Sequence, residues 1–196
     1  MADKVRVAAL ISGRGSNMLA LSEYKRRDPD RPYEIVLVAS NVPAARGLVL
    51  ARRLGIKTWS KPHQGLSREQ FDAALDAVLR EHKVELIALA GYMRLLSPGF
   101  VAKWEGRILN IHPSLLPRHK GLDTHQRAIM AGDTHGGCSV HLVTAELDSG
   151  PVLAQAEVRI LPRDDPESLA ARVLEAEHRL YPAALDAYAR TLRESG

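Results

Sequence analysis

Short apolar runs alternate with amphipathic stretches along the first two thirds of the chain. Apolar runs at residues 5–11, 34–40, 86–90 and 107–111 end at or just before serine, glycine or proline, which predicts buried parallel strands. Residues 18–25, 46–54 and 68–82 have helical periodicity, and Ser67 with Gln70 resembles a capping box before the last of these helices. This alternation predicts an α/β fold with a doubly wound, Rossmann-like, mostly parallel sheet.

The last third of the chain has a different pattern. Residues 139–144 and 152–160 are strand-like, and only a short turn at 146–151 lies between them. A parallel crossover needs about a dozen residues, so this C-terminal strand pair is predicted to be antiparallel. Residues 166–192 predict one long closing helix. Because no repeat, low-complexity tract or linker divides the sequence, we expect a single domain over residues 1–196.

Composition narrows the class of protein. The 196 residues are 45% hydrophobic and 26% charged, which is ordinary for a soluble globular domain. The lone Cys138 excludes an intramolecular disulfide and fits a reducing compartment. Lys4 and Arg6 interrupt the first apolar run, which argues against a secretory signal, and the apolar runs are too short to span a bilayer. We therefore expect a cytoplasmic protein with no membrane partner.

The basic residues are spread along the chain. The net charge is +4, and lysine and arginine do not gather into a basic block. This distribution argues against a nucleic-acid partner and is compatible with a small anionic substrate.

A glycine-rich segment, Gly13-x-Gly15-Ser16-Asn17, lies between the first strand and the first helix. Amide groups and the dipole at a helix start attract an anion, and glycines let a phosphate approach the main chain. The dinucleotide fingerprint needs a third glycine where this chain has Met18. The segment therefore favours a mononucleotide or sugar phosphate over NAD, although a purely structural turn would explain the same glycines.

The strand at 107–111 leads into the most informative polar residues. Side chains two apart on a strand share a face, so Asn110 and His112 are predicted neighbours at the strand's carboxyl end, where open α/β sheets bind ligands. An amide donates to a developing oxyanion, and an imidazole moves protons near neutral pH. Asp148, in the turn at 146–151, would favour the imidazolium form if the fold places it beside His112. A structural histidine and a surface turn would explain these residues equally well.

Several segments together resemble the phosphoribosylglycinamide (GAR) formyltransferase family. The most specific are Asn110-x-His112-Pro-Ser-Leu-Leu-Pro and the later Leu-Asp148-x-Gly-Pro. The resemblance covers nearly the whole chain, in blocks at residues 11–17, 89–97, 110–117, 137–141, 147–151 and 177–182. It implies the formyltransferase fold and transfer of the formyl group of 10-formyltetrahydrofolate, as co-substrate, to the amine of GAR in purine biosynthesis.

The resemblance also implies catalytic roles. Asn110 would polarise the formyl oxygen, and His112 would stabilise the tetrahedral intermediate as imidazolium and handle its proton. Asp148 would keep His112 charged and relay a proton through water, and His141 would support His112.

Two binding regions follow from the same resemblance. Gly15, Ser16 and Asn17 would hold the GAR phosphate and Glu177 the rest of GAR, so that residues of about 1–100 form a phosphate-binding half and about 101–196 a catalytic and folate-binding half. The side chain of Arg94 could form a surface salt bridge instead of binding folate, so the main chain around it is the stronger candidate for that contact. The residues implied for folate are Arg68, Met93, Arg94, Leu95, Leu96, Asn110, Thr144, Ala145, Glu146, Leu147 and Asp148.

Other interpretations remain open from the sequence. No metal is expected, because the five histidines from His112 to His141 are spaced 7, 6, 10 and 6 residues apart and form no close pair. His119-Lys120 departs from the family's commoner aromatic or proline pair, so the sequence does not define how the substrate cleft closes. It also does not decide between a monomer and a homodimer. The alternatives are another folate-dependent formyltransferase, a 10-formyltetrahydrofolate hydrolase, or a non-catalytic nucleotide-binding module that would not need the polar residues Asn110, His112 and Asp148.

Overall fold

The computed structural model describes residues 4–194, and one seven-stranded sheet runs through them. Its strands are β1 (Val5–Ile11), β2 (Tyr33–Ser40), β3 (Lys57–Ser60), β4 (Leu86–Leu89), β5 (Ile108–His112), β6 (His135–Leu142) and β7 (Val152–Arg159). The strand order is β3-β2-β1-β4-β5-β6-β7. Strands β1 to β5 are parallel, and β6 pairs antiparallel with both β5 and β7. The predicted parallel sheet with an antiparallel C-terminal pair is confirmed.

Helices cover both faces of the sheet. They are α1 (Ser16–Arg27), α2 (Arg46–Arg53), α3 (Arg68–Glu81), α4 (Pro98–Lys103), α5 (Thr124–Met130) and α6 (Pro166–Glu194). Alternate residues of β1 point to opposite faces, so Val7 packs in the cluster with α1, α2 and α6, and Ala8 packs in the cluster with α3 and α4. This two-sided core is the doubly wound arrangement predicted from the sequence. Among the described residues, no helix has the length and apolar character needed to cross a bilayer.

Three short elements had no clear signal in the sequence. β3 is an edge strand without a buried residue, and its apolar content is therefore low. α4 has six residues after the Ser97 N-cap, and α5 has seven, too few for a helical period to stand out. The predicted capping box is present, since Ser67 and Gln70 bond reciprocally at the start of α3. β6 begins at His135, earlier than predicted, because two glycines follow that residue and hide the strand pattern.

The sheet places its polar residues at one edge. The parallel strands β1, β4 and β5 all end on the same side, and the strand order reverses between β1 and β4. Ser12, just after β1, donates its main-chain N–H to the carbonyl of Gly91, just after β4, at 3.0 Å. Ligands of open α/β sheets bind at such a reversal, so the fold directs attention to this edge.

Candidate active site

Asn110 and His112 lie on β5 opposite two residues of β6. Asn110 pairs with His141 and His112 with Ser139, and directly paired residues of antiparallel strands point to the same face. The Nδ2 atom of Asn110 lies 3.1 Å from Nε2 of His141. The other ring nitrogen of His141, Nδ1, lies 2.9 Å from the carbonyl oxygen of Leu142. The sheet register therefore gathers these polar side chains on one face.

The protonation of His141 follows from its neighbours. A carbonyl oxygen only accepts, so Nδ1 carries the hydrogen and Nε2 accepts from the Asn110 amide. Burial lowers the pKa of His141, partly opposed by the bond to Leu142 and by the charge of Asp148, and so favours this neutral form. One amide hydrogen of Asn110 is thereby used, and the second is left for a ligand.

Asp148 lies between two imidazoles. Its Oδ2 is 3.4 Å from Nδ1 of His112, and its Oδ1 is 3.6 Å from Nε2 of His141. The main-chain N–H of Gly121 donates to Oδ2 at 2.9 Å. The side chains of His112 and Asp148 are each only 7% exposed, so water screens their interaction weakly. The structure thus brings Asp148 against His112, a distance that the sequence did not define.

The glycine-rich segment makes a tight turn into α1. Gly15 has φ +76° and is the N-cap residue of the helix, and no side chain caps the first turn. A Cβ atom on Gly15 would lie 2.7 Å from Cα of Gly47, so this turn needs glycine for both its conformation and its close packing. The half-buried start of α1 at Ser16, with no side-chain cap, has the character of an anion site.

Asn17 and Glu177 meet beside this turn, although 160 residues separate them in sequence. Nδ2 of Asn17 donates to Oε2 of Glu177 at 2.7 Å, and both side chains are buried. Burial raises the pKa of Glu177, and the bond from Asn17 opposes that shift. Oδ1 of Asn17 is buried without a hydrogen-bond partner. Because buried polar atoms are rarely left unpaired, this acceptor suits a hydroxyl or N–H group of a ligand.

The residues implied for a folate pocket occupy two loops and one helix start. Arg68 is exposed at the first turn of α3, Met93 and Leu95 are exposed, and Leu96 packs at the edge of the core. Thr144, Ala145, Glu146 and Leu147 lie between β6 and Asp148, and all four are exposed. Most of these positions are therefore open to a ligand.

Arg94 joins this loop to α3. Its guanidinium donates to the carbonyls of Leu66 and Ser67 at 3.2 and 2.9 Å and lies 5.0 Å from the centre of the Phe71 ring. These contacts take the place of the surface salt bridge considered from the sequence. The side chain therefore holds the loop after β4, and a ligand would meet mainly the loop's main chain.

Ser139 and Gln155 were missed from the sequence. Oγ of Ser139 donates to the carbonyl of Ser114 at 2.6 Å and accepts from the N–H of Leu116 and from Nε2 of Gln155. These bonds hold the segment that follows His112. Ser139 is two residues before His141, so the same period of two that joined Asn110 to His112 could have identified it.

The remaining reactive groups do not suggest other chemistry. Cys138 is fully buried, and burial raises the pKa of its thiol to about 12, so the thiolate nucleophile is scarce near neutral pH. Between residues 4 and 194, no three His, Cys, Asp or Glu side chains are grouped to hold a metal ion.

Comparisons with known proteins agree on one family. The sequence profile described as "Formyl transferase" matches residues 5–185. The phosphoribosylglycinamide formyltransferase of Escherichia coli is 41% identical over 186 residues, which cover 94% of this chain and 87% of that protein. The trifunctional purine biosynthetic protein adenosine-3 of Gallus gallus is 50% identical over 93% of this chain, which spans only 18% of the length of that relative. The crystal structure of phosphoribosylglycinamide formyltransferase from Brucella melitensis superposes with a TM-score of 0.90 at 53% identity, over 95% of this chain and 96% of that one.

Proposed function

The chain belongs to the formyl transferase family, and we propose that it transfers the formyl group of 10-formyltetrahydrofolate to the amine of GAR in purine biosynthesis. One observation carries the proposal. An uncapped glycine turn with an unpaired buried acceptor, at Gly15 and Asn17, lies at the same sheet edge as the cluster of Asn110, His112 and Asp148. The bacterial relatives with the GAR formyltransferase name match over most of their length, which supports this single activity.

GAR binding is assigned to the start of α1 and to α6. The uncapped amides of the first turn, with Gly15 and Ser16, would receive the phosphate. The unpaired Oδ1 of Asn17 and the carboxylate of Glu177 would accept hydrogen bonds from the rest of GAR, including its hydroxyl groups. Because Glu177 lies on α6, the phosphate-binding half at about 1–100 needs a residue of the catalytic half at about 101–196.

The chemical step needs no nucleophilic side chain, because the GAR amine attacks the formyl carbon directly. The amide hydrogen of Asn110 that His141 does not use would donate to the oxygen as it becomes negative. The imidazolium of His112 would donate from Nδ1 to the same oxygen, with Asp148 beside it to stabilise the positive charge.

Protons must move for the transfer to balance. As the C–N bond to the amine forms, the amine loses a proton, which Asp148 would accept through water. The bond between the formyl carbon and the folate nitrogen then breaks, and that nitrogen gains the proton that Asp148 relays back through water. The products are formyl-GAR and tetrahydrofolate, with no change of oxidation state. Holding the two substrates in this geometry supplies much of the acceleration.

The folate is assigned to the surface formed by Arg68, the main chain at residues 93–96 and the loop at 144–148. The exposed apolar side chains there, Met93, Leu95 and Leu147, suit a flat aromatic ring system. We place the reaction in the cytoplasm, with small-molecule partners only and with the protein as a monomer or a homodimer.

The test is an absorbance assay of tetrahydrofolate formation from 10-formyltetrahydrofolate with and without GAR. We expect turnover only when GAR is present. Equal rates with and without GAR would make the chain a hydrolase and overturn the proposal. An Asn110→Ala variant with an unchanged circular dichroism spectrum serves as the control, since a contaminating enzyme would not respond to it.

A further inference from the structure

The segment from Arg118 to Asp123, here called the strap, has an unusual main-chain conformation. His119, Gly121 and Asp123 have φ of +53°, +78° and +55°, so every second residue is in the left-handed region. Residues other than glycine are rare in that region and persist only where surrounding contacts hold them. The contacts of the strap therefore indicate what its conformation serves.

The main chain of the strap touches both members of the catalytic pair. The carbonyl oxygen of His119 lies 3.0 Å from Nε2 of His112, and the N–H of Gly121 donates to Oδ2 of Asp148 at 2.9 Å. The carbonyl and the Asp148 carboxylate both only accept, but only the contact at Nε2 is a hydrogen bond, so Nε2 of His112 carries a hydrogen in the neutral and in the charged form. The proton that comes and goes is then at Nδ1, the atom 3.4 Å from Asp148.

The His119 side chain anchors the strap on its other side. Its Nε2 lies 2.7 Å from Oδ2 of Asp133, whose side chain is only 5% exposed, in the turn between α5 and β6. Arg118 also donates to the Asp133 carboxylate, but its side chain is mostly exposed and contributes less. His119 therefore links Asp133, through its ring and carbonyl, to His112.

Titratable and charged groups face this link from several elements, and Arg127 of α5 also donates to the strap carbonyls of Lys120 and Leu122. Asp148, His141 and His125 face His112 from the turn before β7, from β6 and from α5. Asp133 and Arg118 face the His119 ring. Lys120 donates to Oγ of Ser149 at 2.6 Å, so it holds the strap against the Asp148 turn.

We propose that His119 and Asp133 are positioning residues for formyl transfer. Their hydrogen bond fixes the strap, and the His119 carbonyl then holds His112 with its permanent hydrogen on Nε2 and its exchangeable proton on Nδ1. The link to turnover rests on the proposed function, whereas the position of the proton on His112 does not.

Nitrogen NMR of the histidine rings tests the proposal without any substrate. In the wild-type chain we expect neutral His112 to carry hydrogen on Nε2 and to have a bare Nδ1. In His119→Ala we expect a mixture of both neutral forms, whereas His119→Gln, which keeps a donor near Asp133, should restore the wild-type pattern. His135→Ala is the matched control, because His135 is exposed and its ring contacts only Thr134 among the bonds described.

Kinetics give the second readout. With GAR as substrate, kcat of His119→Ala should fall about tenfold, with KM for GAR unchanged and with recovery of kcat in His119→Gln. Asp133→Ala removes the acceptor and should act in the same way. If either variant fails to fold, His119→Asn, which is too short to reach Asp133, replaces it.

Two results would overturn the proposal: hydrogen on Nδ1 of neutral His112 in the wild type, or a folded His119→Ala or Asp133→Ala chain with the wild-type NMR pattern. A wild-type chain with the expected NMR pattern but no GAR turnover would refute the proposed function and leave the strap's effect on His112 standing.

Discussion

Asp148→Asn removes one negative charge from the catalytic pair and keeps the size of the side chain. An amide oxygen can still accept from the N–H of Gly121, which lies 2.9 Å from Oδ2 of the aspartate, so we expect the strap to stay in place. What changes is the partner of His112, whose Nδ1 lies 3.4 Å from the same oxygen. The substitution therefore tests the charge and not the packing.

The distance sets the size of the effect. Two unit charges 3.4 Å apart attract by about 5 kcal/mol at an effective dielectric constant of about 20, and this is the upper limit of the loss. The lower limit is about 1 kcal/mol, the difference between a charge-assisted and a neutral hydrogen bond. At about 1.4 kcal/mol for each factor of ten, we expect kcat to fall about 100-fold, within limits of about 5-fold and a few thousand-fold.

KM for GAR should change little, because the described hydrogen bonds of Asn17 and Glu177 do not involve Asp148. The measurement is the steady-state rate against GAR concentration from about pH 6 to pH 9, with Asp164→Asn as a control that alters a carboxylate near the start of α6. An unchanged kcat and pH profile in Asp148→Asn would remove Asp148 from the mechanism. A large rise in KM with kcat preserved would show instead that Asp148 acts in binding.

The remaining predictions concern the GAR pocket. Burial raises the pKa of Glu177 above its ordinary value of 4.5, so the folded chain should lose stability as the pH rises from 4.5 through the raised pKa. Thermal melts of Glu177→Gln should not show this loss. The same variant should raise KM for GAR about tenfold, since it loses a charged acceptor; an unchanged KM would take Glu177 out of the pocket. Gly15→Ala should raise KM for GAR with little effect on kcat, because its Cβ meets Gly47 at 2.7 Å, whereas Gly13→Ala, whose Cβ has nothing within 4 Å, should resemble wild type.

The parts of the fold that could be predicted are those where one local pattern sufficed. β1, β2, β4 and β5 are largely buried on both faces and therefore form nearly continuous apolar runs in the sequence. The turn between the last two strands is too short for a crossover, so its length alone predicts their antiparallel pairing. β3 was not predicted because an edge strand need not be apolar. α4 and α5 were not predicted because a helix of two turns has too few positions to define a period.

The candidate site divides in the same way. Asn110 and His112 were joined by strand periodicity, since two residues on one strand share a face by geometry alone. The contacts of Asn17 with Glu177 and of His112 with Asp148 depend on how distant elements pack, which no local pattern encodes. The contacts of the strap are harder still to predict, because His119 acts through its carbonyl and Gly121 through its N–H. Every residue type except proline has both groups.

Several positions that break local rules lie around the proposed substrates. Oδ1 of Asn17 is unpaired, Glu177 is a buried acid with a raised pKa, and His119 and Asp148 are non-glycine residues with positive φ. Each of these features costs folding stability in the free chain, and such costs are retained where function requires them. Substitutions that relieve them, such as Glu177→Gln, should therefore stabilise the free protein and weaken GAR binding or turnover. Substitutions at the buried apolar residues of β1 and β4 should act differently, because those side chains carry no polar group. There we expect stability and activity to fall together.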